Sequence, residues 1–472
     1  MFYCREEELR KLKKRYRSDS FECIIIYGRR RVGKTALINE FCKDKPVIYF
    51  SALKATSGKN LSSLSKAIQL FKDPDSNHYP EYHSFEDALE EINRLSRDKR
   101  LIFVVDEYPY LAKAEESISS LLQHIIDHHW TKGKLYLILC GSSMSFMEKQ
   151  VLGNESPLYG RRTAQFKIEP LTYLETAIFS PHLTPQQNAL VYGITGGVPH
   201  YINKLCVKDD VDEALLENLF DRSSYLYEEP ENLLKQELRE PSQYSDILSA
   251  IAEGASKMSE IASQCRIDTA TCSKYLNILR ELGIVKRERP LIHANSKKTI
   301  YSIEDNFFRF WYRFVPGNIA LIASGRIGRV YDKIIRPYLP EYMGFVFERM
   351  CHDYLLYYAR HLPFEILSLG RWWGNDPTEK KEIEIDIVGE IIENASGKKA
   401  YLVGSCKYRT MEIGRDELES LRKYASVFAK GENCHYAIFS KEGFTKGLKE
   451  EANHGNVMLV TLEDMMSQAC NS

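Results

Sequence analysis

The chain has almost no net charge: 64 Lys and Arg stand against 65 Asp and Glu in 472 residues, a formal balance of -1. That excludes a protein built to coat nucleic acid over its whole surface, so any basic face must be local. No stretch approaches the roughly 20 apolar residues that a bilayer crossing takes. Met1 to Arg17 is dense in Arg, Lys and Glu and lacks the apolar centre of a signal peptide, so neither a leader nor a membrane contact is expected. The eleven cysteines contain no C-x-x-C pair and no zinc spacing, and they read as reduced, mostly structural thiols of a cytoplasmic protein. His124, His128 and His129 share a helical stretch but lack the Glu of H-E-x-x-H, which leaves them as surface or packed histidines.

What is present is an ordinary globular composition, 44% hydrophobic and 27% charged, on a chain too long for one core. A prior of about one domain per 100 to 200 residues suggests three or four. The most informative stretch is Gly28-Arg29-Arg30-Arg31-Val32-Gly33-Lys34-Thr35, which follows the apolar run Cys23 to Tyr27 and opens a helical pattern reaching Phe41. Strand, G-x-x-x-x-G-K-[ST] loop and helix together make a phosphate-binding loop. Its backbone N–H groups close on phosphates, Lys34 reaches the β and γ oxygens, and Thr35 offers a hydroxyl to Mg2+. The helix N-terminus adds positive potential. ATP and Mg2+ are the expected cofactors.

A second strand is expected at Pro46 to Phe50 and a helix at Phe85 to Leu95. Leu101 to Val105 is a continuous apolar run, as a parallel strand buried on both faces requires, and it ends in Asp106-Glu107. In this Walker B pattern Asp106 is the metal ligand, and Glu107 orients and deprotonates the attacking water. The strand Leu135 to Cys140 runs into Gly141-Ser142-Ser143, where Ser142 or Ser143 is placed to sense the γ-phosphate. Arg161 and Arg162 follow the sheet as candidate arginine fingers.

These motifs, with the opening Arg5 to Leu9, Gly160-Arg161 and Gly196-Gly197-Val198-Pro199, resemble prokaryotic ATPases of the AAA+ and STAND type that carry an archaeal-type ATPase domain. The resemblance implies that Gly197 and Pro199, in a Gly-x-Pro turn of a helical lid, lie near the nucleotide and report which one is bound. It also makes a homo-oligomer a candidate assembly.

Helical pattern with Pro and Gly breaks continues from Leu171 to Leu238. Tyr244–Ala252, Met258–Cys265 and Thr269–Leu282 then form a helix-turn-helix, capped by Asp268, and a wing reaches Tyr301. Between Lys257 and Ile300 nine basic residues face four acidic ones, a surplus of +5. Lys274 and Asn277 on the third helix are placed for a groove, and Lys286, Arg287 and Arg289 on the wing for phosphates, which makes DNA a candidate partner. A winged helix serving protein contacts is the competing reading, since no base-reading arginine stands on the helix.

Asp305 to Val315 is an aromatic connector, followed by a helix, Met343 to Tyr358, that carries Glu348. Glu382 to Ile387 alternates carboxylates with isoleucines, and Tyr401 to Lys407 is a further strand. The order resembles the PD-(D/E)XK nuclease fold. That resemblance implies a Mg2+ site of Glu348, Asp386 and an E-x-K pair, but here Ser405-Cys406-Lys407 stands in its place. A hydroxyl is a weaker ligand than a carboxylate. Glu384, on the face of Asp386, is the candidate to compensate.

The fold expected is therefore α/β: a P-loop parallel-sheet ATPase core (1–170), a helical lid (171–238), a winged helix (239–304), an aromatic linker (305–341) and a restriction-endonuclease-like domain (342–472). The expected function is an ATP hydrolase that couples nucleotide state to DNA binding or processing. The alternative is a STAND-like regulator acting through protein contacts and oligomerisation, its nuclease-like domain inactive.

Overall fold

Every residue of β1 (Glu22–Tyr27), β3 (Leu101–Asp106) and β4 (Leu135–Gly141) is buried, which explains why these strands read as unbroken apolar runs. With β2 (Val47–Ser51) and β5 (Ala164–Lys167) they form a parallel sheet of order β2-β3-β4-β1-β5. The computed structural model describes residues 3–75, 77, 79–206, 210–292, 298–375, 381–429, 431–453 and 455–467. It groups them into one unit of residues 1–171 with 198–200 and a second of 172–197 with 201–472.

In the first unit one face of the sheet packs Ile24, Ile26, Ile102 and Ile138 against Leu12, Leu37 and Phe41. The other packs Ile25, Phe103, Val105 and Leu137 against Leu89, Ile92 and Leu122. Because β4 lies between β1 and β3, the loops after all three strands open at one sheet edge. Those loops carry the phosphate loop, Asp106-Glu107 and Ser142. Gly28 is obligatory at the first turn, since a Cβ there would meet the Ile168 carbonyl oxygen at 2.3 Å.

The second unit opens with the helices Tyr173–Ile178 and Pro185–Thr195, each started by a capping box, Thr172 with Glu175 and Thr184 with Gln187. The helix-turn-helix is Pro241–Ala252, Met258–Gln264 and Thr269–Glu281, the last capped by Asp268, which accepts from the Thr271 N–H at 2.9 Å. The hairpin β6 (Val285–Glu288) and β7 (Ile300–Ile303) follows. Lys297 and the wing tip fall outside the described residues, as does Cys470.

The aromatic stretch that follows the wing is a buried helix, Asn306–Phe314. Phe307, Phe308, Phe310, Trp311 and Phe314 are all buried, so the segment is held by the apolar surface it removes from water. Trp311 Nε1 donates to the Tyr227 carbonyl at 2.7 Å, and the Tyr342 hydroxyl donates to the Gly193 carbonyl at 2.6 Å, with the Asn306 carbonyl 3.0 Å away.

After the helix Leu339–Asp353 comes a mixed sheet of order β12-β11-β10-β9-β8, built from β8 (Phe364–Asn375), β9 (Glu382–Glu393), β10 (Lys399–Lys407), β11 (Cys434–Ser440) and β12 (Val457–Thr461). β8, β9 and β10 pair antiparallel, and β10, β11 and β12 parallel, with the helix Arg415–Ala429 joining β10 to β11. Ile383 and Ile385 point inward to Leu418, Leu421 and Phe428, so Glu382, Glu384 and Asp386 take the other face. This is the nuclease-like α/β architecture.

Candidate nucleotide site and nuclease-like cluster

The helix Lys34–Cys42 begins directly after Gly33, whose φ of 94° and the 71° of Arg31 curl the loop so that its amides converge. Lys34 is 7% exposed, and its ammonium donates to the carbonyls of Gly28 at 2.8 Å and Arg29 at 2.7 Å. Burial lowers its pKa, with the charges of Glu107 and Asp106 opposing. Arg30 donates to the Tyr110 hydroxyl at 2.9 Å, and Arg5 spans the carbonyls of Glu169 and Val32 at 2.6 and 3.5 Å. Arg5 is thus a buttress of the loop.

Asp106 ends β3 opposite the loop. Its Oδ2 accepts from the Thr35 hydroxyl at 3.3 Å and from the Tyr49 hydroxyl at 2.8 Å, while Oδ1 accepts from the Glu107 N–H at 3.0 Å. Burial and the Asp106 charge push the Tyr49 phenol up, so it stays a donor. Nothing in the spacing of the sequence pointed to Tyr49, which reaches Asp106 because Ser51 pairs with Asp106 across β2 and β3. Glu107 is held at a φ of 53°, a left-handed conformation unusual for a side-chain-bearing residue, and Ser142 Oγ lies 3.0 Å from each of its carboxylate oxygens. Hard oxygen donors in Thr35 and Asp106, a buried ammonium and converging amides fit Mg2+ and a nucleoside triphosphate.

Other candidates are placed elsewhere. Arg161 grips Asp127 at 2.9 and 2.6 Å and the carbonyls of Pro157 and Tyr159, a bidentate pair that lowers the Asp127 pKa. Arg162 donates to the Leu152 carbonyl at 3.1 Å and lies over the Tyr159 ring. Within the chain both guanidiniums are therefore committed to surface partners and not to Glu107. Gly197 has a φ of 72° and belongs to the second unit, and Pro199, which starts the helix Pro199–Leu205, to the first.

On the winged helix Lys274 and Asn277 are exposed, Asn277 accepting from Arg280 at 2.9 Å. Arg287 and Arg289 are exposed as well, with Arg289 donating to Thr299 at 3.2 Å. Lys286 turns the other way, to Glu288 at 2.9 Å and Glu304 at 3.7 Å, and lines a cavity of about 830 Å³ with Arg309, Arg349, His352 and Arg371. The placement differs from the phosphate contact expected of it because β-strand alternation puts Lys286 and Arg287 on opposite faces.

In the nuclease-like domain Asp386 Oδ2 accepts from the Cys406 N–H at 2.8 Å, with the Ser405 hydroxyl oxygen 3.4 Å and Lys407 Nζ 3.9 Å away. Ser405 donates to Glu417 at 2.7 Å, and Lys407 lies 3.3 Å from the same oxygen. Glu417, on the first turn of Arg415–Ala429, is the carboxylate at the serine, and the expectation that Glu384 compensates is corrected. Glu384 pairs with Arg371. Glu348 also turns to Arg371, at 3.5 Å, and burial pushes its pKa up to about 7 against that guanidinium's pull. His352, kept neutral by burial, hydrogen-bonds the Asp386 carbonyl at 2.9 Å. Among the described residues no group of three or more His, Cys, Asp or Glu is arranged to hold a metal. No helix among them is long and apolar enough to cross a membrane.

A phosphate loop with the carboxylates of Asp106 and Glu107 beside it on one edge of a parallel sheet defines a P-loop ATPase domain. Residues 2–205 match the family described as an ATPase domain predominantly from Archaea, residues 243–287 the bacterial regulatory proteins of the arsR family, and residues 311–420 a family of archaeal and bacterial proteins of unknown function. The chain is 32% identical to the uncharacterized protein MJECL04 of Methanocaldococcus jannaschii over 98% of its own length and 100% of the relative's. It belongs to this family of archaeal-type ATPases with a winged helix and a nuclease-like C-terminal domain. A 47-residue stretch is 47% identical to the uncharacterized ATP-binding protein MJ0423 of the same organism, covering 10% of this chain and 80% of that one. Among solved structures it is similar to the Aeropyrum pernix ORC2 protein, with a TM-score of 0.45 and 14% identity over 69% of this chain and 95% of that one.

Proposed function

We propose that the chain is an ATP-hydrolysing switch whose nucleotide state controls DNA binding through the winged helix. The observation that supports it is the pairing of Thr35 with Asp106 and of Glu107 with Ser142 beside the buried Lys34 ammonium. In this reading Mg2+ bound with ATP neutralises phosphate charge. Lys34 holds the β and γ oxygens, Thr35 and Asp106 hold the ion, and Glu107 aligns a water and takes its proton. Lys274, Arg287 and Arg289 form the DNA-facing surface, and ATP turnover changes its accessibility. The functional division follows residues 1–170, 171–238, 239–304 and 342–472, with the cytoplasm as its compartment. Titration of a labelled duplex by fluorescence anisotropy, with and without ATP and Mg2+, tests the reading. Affinity should fall steeply with salt, as phosphate contacts require, and should change with nucleotide in wild type but not in Lys34→Ala.

The ion pairs of Lys286 and the seating of Leu291 on the C-terminal sheet, where its N–H donates to the Arg371 carbonyl at 2.9 Å, favour a second reading. There the winged helix is a protein-contact module, and ATP changes the oligomeric state. Absence of duplex binding at low salt, with an ATP-dependent shift in mass, selects it.

A further inference from the structure

The fold family leads one to expect a divalent cation in the C-terminal domain, and the residues present do not fit one. We propose that the guanidinium of Arg371 permanently takes the place of that cation, so that the domain is a metal-independent carboxylate–guanidinium cluster. Three carboxylates converge on this one side chain: Glu348 at 3.5 Å, Glu384 in direct contact and Glu288 of the wing at 4.0 Å. The Arg371 side chain is only 15% exposed, and its position is fixed by backbone as well as by charge. Pairing of β8 with β9 slips by one residue here, Gly370 facing Val388 but Trp372 facing Ile385, and Arg371 sits at that irregularity across from Asp386 and Ile387. Its carbonyl accepts from the wing residue Leu291, while Ile292 joins the apolar cluster of Trp372 and Ile383.

The second half of the expected ligand set has partners within the chain as well. Asp386 spends its Oδ2 on the Cys406 N–H, just beyond Gly404 and Ile387, where the regular β9–β10 pairing stops. Glu417 accepts from Ser405 and neutralises Lys407. Each carboxylate thus has a built-in counter-charge or donor, and a divalent ion entering near Glu348 would meet a fixed positive charge. The wing contributes one of the three carboxylates, so the cluster also ties the winged helix to the sheet.

Mn2+ binding to the full chain, followed by electron paramagnetic resonance without nucleotide, tests the proposal. Wild type and Asp386→Asn should give the same isotherm, since Asp386 holds no metal. Arg371→Ala should gain one equivalent of bound Mn2+, and that gain should vanish in Arg371→Ala combined with Glu384→Gln. Arg371→Lys, which keeps the charge, should gain none. Loss of a bound equivalent in Asp386→Asn or Glu348→Gln relative to wild type would overturn the proposal, and so would a folded Arg371→Ala that gains none. If Arg371→Ala does not fold, the comparison of wild type with Asp386→Asn and Glu348→Gln decides alone.

Discussion

The Ser142 hydroxyl lies 3.0 Å from both carboxylate oxygens of Glu107. The hydroxyl can donate to only one oxygen at a time, so it fixes the carboxylate's direction while leaving lone pairs for a water. Glu107 is already constrained by its left-handed backbone, and Ser142 supplies the remaining restraint. Ser142→Ala should therefore lower kcat for ATP by roughly tenfold, as loss of a positioning contact does, with little change in KM. Steady-state phosphate release measures both. A raised KM at unchanged kcat would assign Ser142 to nucleotide binding instead.

The two faces of β6 give opposite expectations for neighbouring lysine and arginine. Reversal of Lys274, Arg287 and Arg289 to Glu should weaken duplex binding similarly for all sequences and flatten its salt dependence. Lys286→Glu should instead lower thermal stability, because it sets a third carboxylate beside Glu288 and Glu304. Anisotropy and thermal melts separate the two effects, and equal losses of DNA affinity from Lys286→Glu and Arg287→Glu would contradict the assignment.

Asp353 gives a pH test. Burial raises its pKa from the ordinary 3.8 to about 6, against the pull of Arg349. Its folded pKa lies above the unfolded one, so its contribution to stability is full below about 3.8 and is lost as pH rises to about 6. Asp353→Asn, which never ionises, should match wild type near pH 4 and exceed it above pH 6 by ~1–2 kcal/mol. Denaturant titrations across that range check the sign. A variant less stable than wild type at pH 8 would show that the ionised form is the stabilising one.

Ser405→Glu is the substitution that the nuclease pattern invites. In this chain the new carboxylate would face Glu417 and Asp386, the two oxygens that Ser405 now contacts at 2.7 and 3.4 Å. Like charges at that range, with a lost hydrogen bond, should cost about 1–3 kcal/mol of stability. No cleavage of single-stranded or duplex DNA should appear with Mg2+ or Mn2+. Metal-dependent cleavage by that variant would contradict the account of the C-terminal cluster.

What was legible in the sequence followed from local rules. The buried strands around β1, β3 and β4 announce themselves as unbroken apolar runs, and the phosphate loop as a fixed spacing between two elements. The helix Phe85–Leu95 and the three helices of the winged domain were readable from periodicity and caps. Residues brought in by pairing across the sheet were not readable. Tyr49 meets Asp106 only through the β2–β3 register, and Arg371 meets Glu348 and Glu384 only through a slip in the β8–β9 ladder. Glu417 follows Lys407 in the chain, yet its approach to Ser405 depends on how the helix Arg415–Ala429 starts beneath β10. Side-chain direction was the other blind spot, since adjacent wing residues Lys286 and Arg287 have equal charge and opposite surroundings.

ATP turnover tests the central claim most directly. Wild type, Lys34→Ala and Glu107→Gln are compared for Mg2+-dependent phosphate release and for retention of radiolabelled ATP on the purified chain. The account requires hydrolysis by wild type, loss of ATP retention and of turnover in Lys34→Ala, and retained ATP in Glu107→Gln with turnover down by roughly 10²-fold or more, the scale of a lost general base. Undiminished turnover in Lys34→Ala, or Glu107→Gln hydrolysing at the wild-type rate, would contradict it.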